Sequence, residues 1–281
     1  MFRTVLIPLC LAALACTEFE AGSDELQGSG GSTDTRLGAL TPEVGRDWSC
    51  IGALVQGDTG IARPIANAAR LVQSLQVLSL AAGSVPPDVT VRACTQQDVG
   101  CVNPVTSSLP LNAEGYVDLP LYEGFDGYLE VTGPTIVSAL MFYQYPLNAS
   151  SRRDTTPLGI VEKAVLPMLT QAIGTPQDPG LGLLALRAFD CSNEEAPGVQ
   201  YVIDRPGVPW YFVAGLPSGV PVETDRSGLG GFLNVAAGTS VVRISLSSGE
   251  REIALPKSLL SRPGWMTVLR ALPSLSLPDA I

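Results

Sequence analysis

The chain contains no histidine. That removes Ser-His-Asp and Cys-His nucleophilic catalysis, imidazole acid–base chemistry and every zinc site that needs imidazole. Lysine is nearly absent too: Lys163 and Lys257 stand against 15 arginines. Charged residues make up 16% and aromatics 6% of the 281 residues. With 17 basic and 27 acidic residues the net charge is -10, and no cluster of Lys and Arg is present. A phosphate backbone would be repelled, so no nucleic-acid partner is expected. The apolar run from Val5 to Ala15 is too short to cross a bilayer, which takes roughly 20 residues. What is plentiful is hydrophobic residues, at 46%, together with 29 glycines and 23 prolines. The first allows a sizeable core, and the others favour many turns over long helices.

Residues 1–16 read MFRTVLIPLCLAALAC. Arg3 precedes an apolar stretch with the length of a secretory h-region. Its end, Leu11-Ala12-Ala13-Leu14-Ala15-Cys16, resembles a bacterial lipobox, with Ala13 where that family prefers Leu. The resemblance implies a lipoprotein signal peptide over 1–15, cleavage before Cys16 and three acyl chains on Cys16. Thr17, standing where Asp would retain the protein in the inner membrane, implies the outer membrane. An ordinary signal cut after Ala15, or a buried strand, are the other readings of this run. Stable attachment needs more than one acyl chain, each contributing about 0.8 kcal/mol per buried methylene. Residues 16–47 carry Glu18, Glu20, Asp24 and Glu25, then Gly28-Ser29-Gly30-Gly31-Ser32, and read as a flexible acidic tether.

Four cysteines remain: Cys50, Cys94, Cys101 and Cys191. In an oxidising compartment an even number predicts disulfides. Four cysteines allow three pairings. Cys94 and Cys101 flank a short polar loop that a local bond would close, which leaves Cys50 for Cys191. The spacings contain no Cys-x-x-Cys pair, so no metal site is expected.

The rest of the chain alternates short apolar runs with Gly, Pro, Asn and Asp. Strands are predicted at 71–80, 88–94, 116–121, 127–132 and 135–145, then at 181–189, 199–204, 208–214, 231–235, 240–246, 250–255 and 265–272. Between the groups, the apolar residues of 157–173 recur at helical spacing, with Pro157 at the start and Pro167 as a kink. The expected fold is mainly β: two tandem immunoglobulin- or prealbumin-like sandwiches, 48–150 and 179–281, joined by a short helix within 151–178. A faint repeat relates Gly115-Tyr116-Val117-Asp118-Leu119 to Gly231-Phe232-Leu233-Asn234-Val235.

Thr224-Asp225-Arg226-Ser227-Gly228, followed by Gly231 to Val235 and Gly238, resembles the turn and strand of carboxypeptidase-regulatory, or prealbumin-like, sandwiches. The first half is similar with Leu111-Asn112-Ala113-Glu114-Gly115, departing at Ala113-Glu114. The resemblance implies a non-catalytic module. In the turn, Asp225 is placed to accept backbone amides two residues on and Gly228 to supply a positive φ, so Thr224, Asp225 and Gly228 read as structural.

Candidate chemistry is thin. Gly57-Asp58-Thr59-Gly60 holds an aspartic-protease tripeptide with unsuitable flanks and no second copy, and reads as a turn. Asp190 to Glu195 offers oxygens of the kind calcium takes, or simply a solvated loop. Trp48, Trp210, Tyr211 and Trp265 would suit either a sugar platform or a core. No catalytic residue and no cofactor is expected. The reading is a lipid-anchored envelope lipoprotein that binds or scaffolds an envelope protein or polysaccharide. The alternatives are a carbohydrate-binding surface lipoprotein and a secreted hydrolase with a carboxylate pair in a deep pocket.

Overall fold

Short alternating runs become strands throughout the computed structural model, which describes residues 46–51, 69–147, 157–247 and 251–273. The first half contributes β1 (Arg70–Ser79), β2 (Thr90–Thr95), β3 (Thr106–Pro110), β4 (Tyr116–Tyr122), β5 (Gly127–Thr132) and β6 (Ala139–Tyr143). Next come β7 (Leu158–Ile160) and the helix α1 (Leu166–Ile173). The second half contributes β8 (Gly182–Ala188), β9 (Val199–Ile203), β10 (Val208–Val213), β11 (Leu216–Ser218), β12 (Leu229–Val235), β13 (Gly238–Leu246), β14 (Glu252–Ser261) and β15 (Met266–Ala271). The chain is mainly β, with one short helix among the described residues.

The strands form a central sheet in the order β11-β10-β12-β8-β15-β6-β5-β2-β3, flanked by two three-stranded sheets, β4-β1-β7 and β14-β13-β9. Successive strand side chains point to opposite faces, and that alternation assigns the flanking sheets. Leu184 and Leu186 of β8, Leu140 and Phe142 of β6 and Leu269 of β15 cluster with Val242, Ile244, Ile253 and Leu259 of β13 and β14. One residue out of step, Leu183, Ala139, Met141 and Met266 cluster with Leu75, Val77, Val117 and Leu119 of β1 and β4. One flanking sheet therefore packs on each face.

The two sandwiches share the central sheet, and the last strand makes the join. β15 lies between β6 of the first half and β8 of the second, parallel to both, with Met266 opposite Ala139 and Leu183. A strand enclosed on both faces cannot alternate cleanly: Met266, Thr267, Leu269 and Ala271 are all buried. Thr267 satisfies its hydroxyl by donating to the Leu260 carbonyl at 2.6 Å.

Several elements depart from expectation. The helix predicted over 157–173 begins only at Leu166, because Leu158–Ile160 pairs with Val77–Ser79 of β1 instead. Pro167 does not kink it; it sits in the first turn, where no intrahelical N–H is required. Gly174, at φ +82°, ends the helix. The strands β3 and β11 carry weak alternation and occupy the two edges of the central sheet, where pairing on one side suffices. β14 runs to Ser261, well past the predicted 255, and tolerates Pro256 because it is an edge strand.

The faint repeat is a repeat of turn chemistry only. Asn112 accepts from the Glu114 amide at 3.1 Å as Asp225 accepts from Ser227 at 2.9 Å, and a glycine with positive φ stands three residues after each. The strands that follow differ in place: β4 lies in a flanking sheet and β12 in the central one.

Candidate functional site

The structure pairs Cys50 with Cys191, at a Cα separation of 5.7 Å, and Cys94 with Cys101, at 5.4 Å. The long bond is part of a larger junction. The Cys191 amide donates to the Asp47 carbonyl at 2.8 Å, and the Asp47 amide reaches the Asp190 carboxylate at 3.3 Å. The other Asp190 oxygen accepts from the amides of Ser192 and Glu194, each at 2.9 Å. Asn193 accepts from Arg270, and Glu195 pairs with Arg187. The loop oxygens considered for calcium thus order the loop itself. Cys16 and Asp58 lie outside the described residues.

At the Thr224 turn, the Thr224 hydroxyl accepts from the Val199 amide at 3.0 Å and donates to the Ala196 carbonyl at 2.8 Å. Asp225 takes the amide and the hydroxyl of Ser227. Gly228 has φ +63°, and a Cβ there would run into the Ala188 carbonyl oxygen. The Tyr201 hydroxyl donates to the Gly228 carbonyl at 2.8 Å, and burial pushes its pKa well up. These bonds tie the turn to β8 and β9, and every donor in them is used internally.

Of the two readings of the aromatics, Trp210 and Tyr211 take the core one. Trp210 and Tyr211 are 6% and 3% exposed, so they cannot form the centre of a sugar platform. Tyr211 stacks on Tyr201, with ring centroids 5.9 Å apart, and its hydroxyl accepts from the Tyr201 amide. Sequence reasoning also missed Glu130. Its side chain is fully buried and bridged by Arg92, at 2.5 Å, and by Arg262. No local signal marks it, since the partners that a buried carboxylate requires, Arg92 and Arg262, stand 38 and 132 residues away. Glu130 also lies near Cys94 and Cys101. Those sulfurs are bonded to each other, so they offer no thiolate to a metal.

The feature with the geometry of a binding site is an apolar cavity of about 160 Å³ under α1. Residues of β7 and α1 line it opposite residues of β6, β15, β8, β12 and β10 of the central sheet. Register builds the floor as one transverse row: Met141, Val268, Ala185, Gly231 and Trp210 lie opposite one another across β6, β15, β8, β12 and β10. The small side chain of Ala185 leaves the floor low, whereas a Cβ at Gly231 would meet the Leu184 carbonyl oxygen instead of the cavity. Leu166, Leu169 and Ile173 of α1 form the roof. One row further along, Arg270 and Arg187 stand opposite each other at one end. The Arg270 guanidinium lies 4.3 Å from the Phe189 ring centroid and donates to Asn193 at 2.7 Å. Both charged residues of the lining are arginines, so this cavity does not supply the carboxylate pair of the hydrolase alternative. The indole N–H of Trp210, in the cavity wall, is buried without an acceptor.

No protein-family model and no curated protein matches the chain. Among solved structures, a variant of the shaft pilin SpaA from Lactobacillus rhamnosus GG covers 76% of this chain and 100% of its own, at 10% identity and TM-score 0.24. A Streptococcal ancillary pilin covers 73% of this chain and 69% of its own, at 12% identity and TM-score 0.22. The Bacillus anthracis TIE protein covers 72% of this chain, at 10% identity and TM-score 0.22; this chain spans about a third (34%) of that one. At these values the likeness assigns neither family nor function. Among the described residues, no helix is long and apolar enough to cross a membrane.

Proposed function

We propose that this protein is an exported, lipid-anchored β-scaffold that holds another component of the cell envelope without catalysis. The observation that carries the reading is the junction at Cys50. The tether read over 16–47 ends at Asp47, and within three residues the chain is bonded to Cys191, immediately after β8 of the central sheet. A pull arriving from an anchor at Cys16 enters the protein at a covalent cross-link instead of peeling strands from an edge. Two disulfides also suit an oxidising compartment. Thr17 favours the outer membrane, and the Asp225 turn is compatible with a carboxypeptidase-regulatory-like module.

The test is detergent-phase partitioning with mass analysis of the mature N-terminus. The native protein is expected in the detergent phase with lipid mass on Cys16, and Cys16→Ala in the aqueous phase. A mature chain that begins elsewhere, or carries no lipid, overturns the anchoring. Cross-linking on intact cells then identifies the component held.

A further inference from the structure

We infer that the cavity under α1 is a binding site for a small amphiphilic anion, a single short apolar chain or ring carrying one carboxylate. Three observations meet there. The walls are aliphatic and aromatic, with Ala185 leaving the floor low between Met141 and Trp210. The volume, about 160 Å³, is comparable to the roughly 150 Å³ that takes one benzene ring. The polarity is one-sided: the charged side chains of the lining are Arg187 and Arg270, set side by side by parallel register at one end.

Two guanidinium groups side by side at one end of an apolar lining suit an anionic head with its tail inward. Paired arginines recognise a carboxylate through forked N–H donors. Arg187 is about one-third exposed, so the head sits where solvent and ligand both reach it. A two-chain lipid is too bulky for the space, and a cation meets the wrong charge. Glu195, which pairs with Arg187, is the group a ligand carboxylate would compete with.

The experiment uses the full-length Cys16→Ala chain in detergent-free buffer, because detergent would itself occupy an apolar site. Without the Cys16 thiol no acyl chain can be attached there, so the result is independent of the anchoring test. Straight-chain alkanoates of four to ten carbons are titrated by calorimetry and thermal shift, beside alkanols and alkylammonium ions of equal length. Affinity for the carboxylates is expected to rise about fourfold per methylene and to level off at roughly six to eight carbons, as the space fills. Alkanols should bind at least tenfold more weakly, and alkylammonium ions not detectably. Ala185→Leu, which fills the floor, should weaken octanoate at least tenfold while leaving the melting temperature level or higher. Arg270→Gln should bring octanoate down to the octanol level and leave octanol unchanged, so octanol binding also reports that this variant is folded. The proposal is overturned if no alkanoate binds in the millimolar range, if alkanol or alkylammonium matches carboxylate, or if folded Ala185→Leu binds octanoate as before.

Discussion

The two faces of β8 are one strand with two outcomes. On one face Leu184 and Leu186 are fully buried against Val242, Ile244 and Leu259 of the flanking sheet. On the other, Leu183, Ala185 and Arg187 look into the cavity under α1. Leucine occurs on both faces of the strand. What separates them is the cover: a three-stranded sheet with side chains at regular spacing fills one face, whereas an eight-residue helix and a three-residue strand span the other. Interiors normally pack to crystal density, so a space kept open over small residues is the part of this molecule most suited to holding something else.

The comparison can be pressed by substitution, beginning with the largest effect. Cys50→Ser with Cys191→Ser removes the cross-link at the end of β8, which serves both faces. The bond joins residues 141 apart, and closing a loop of that length is worth roughly 5 kcal/mol in the chain-entropy treatment. Urea unfolding should show a loss of that order; a loss below about 1 kcal/mol would mean the β15 pairing alone fastens the two halves.

Leu186→Ala, on the filled face, should cost about 3 kcal/mol by leaving a cavity. Ala185→Leu, one residue away on the hollow face, should change stability by less than about 1 kcal/mol or raise it. Equal losses in both variants, measured by the same unfolding curves, would abolish the distinction between the faces.

Gly228→Ala tests the turn that fastens β8 to β9. A positive φ and the approach of the Ala188 carbonyl together predict a loss of about 2 kcal/mol. Asn at this site, which tolerates the left-handed region better, should fare no better if the close approach dominates.

The smallest effect lies far from β8, in the loop closed by Cys94–Cys101. Amides of Asn103 and Val102 donate to Asp98 at 2.7 and 2.9 Å and hold its pKa below the usual carboxylate value. A folded-state pKa below the unfolded one, about 3.9, gives stability that is present above pH 4 and lost as pH falls through the lower folded value. Hydrogen-exchange protection of the Val102 and Asn103 amides, taken relative to the intrinsic rate at each pH, should therefore fall only below about pH 4. In Asp98→Asn the acid dependence should disappear, while exchange at the cavity face stays unchanged in both proteins.

Much of this was readable in order of locality. Period-two runs located most strands, as with Val117, Leu119 and Leu121 of β4. The Asx turn at Asp225 was legible because its partners, Ser227 and Gly228, are within three residues. The helix was misjudged at its front end because Leu158 and Ile160 satisfy a helical stripe and a buried strand equally well, and pairing with β1 decided between them. Glu130 was overlooked because its partner Arg262 is 132 residues away.

From the sequence alone came the absence of histidine, the acidic balance, the expectation of an export signal with lipid on Cys16, the β class and the turn residues. Each depends on composition or on neighbours in the chain. Tertiary structure alone decided that the two halves share a sheet, that Trp210 and Tyr211 are interior, and that Arg187 stands beside Arg270 at the end of an apolar cavity. Alternation tells a strand that it has two faces. Which elements cover each face, and how completely, depends on pairings between residues 40 to 127 positions apart, such as β1 with β4 and β15 with β6, and no local pattern encodes them.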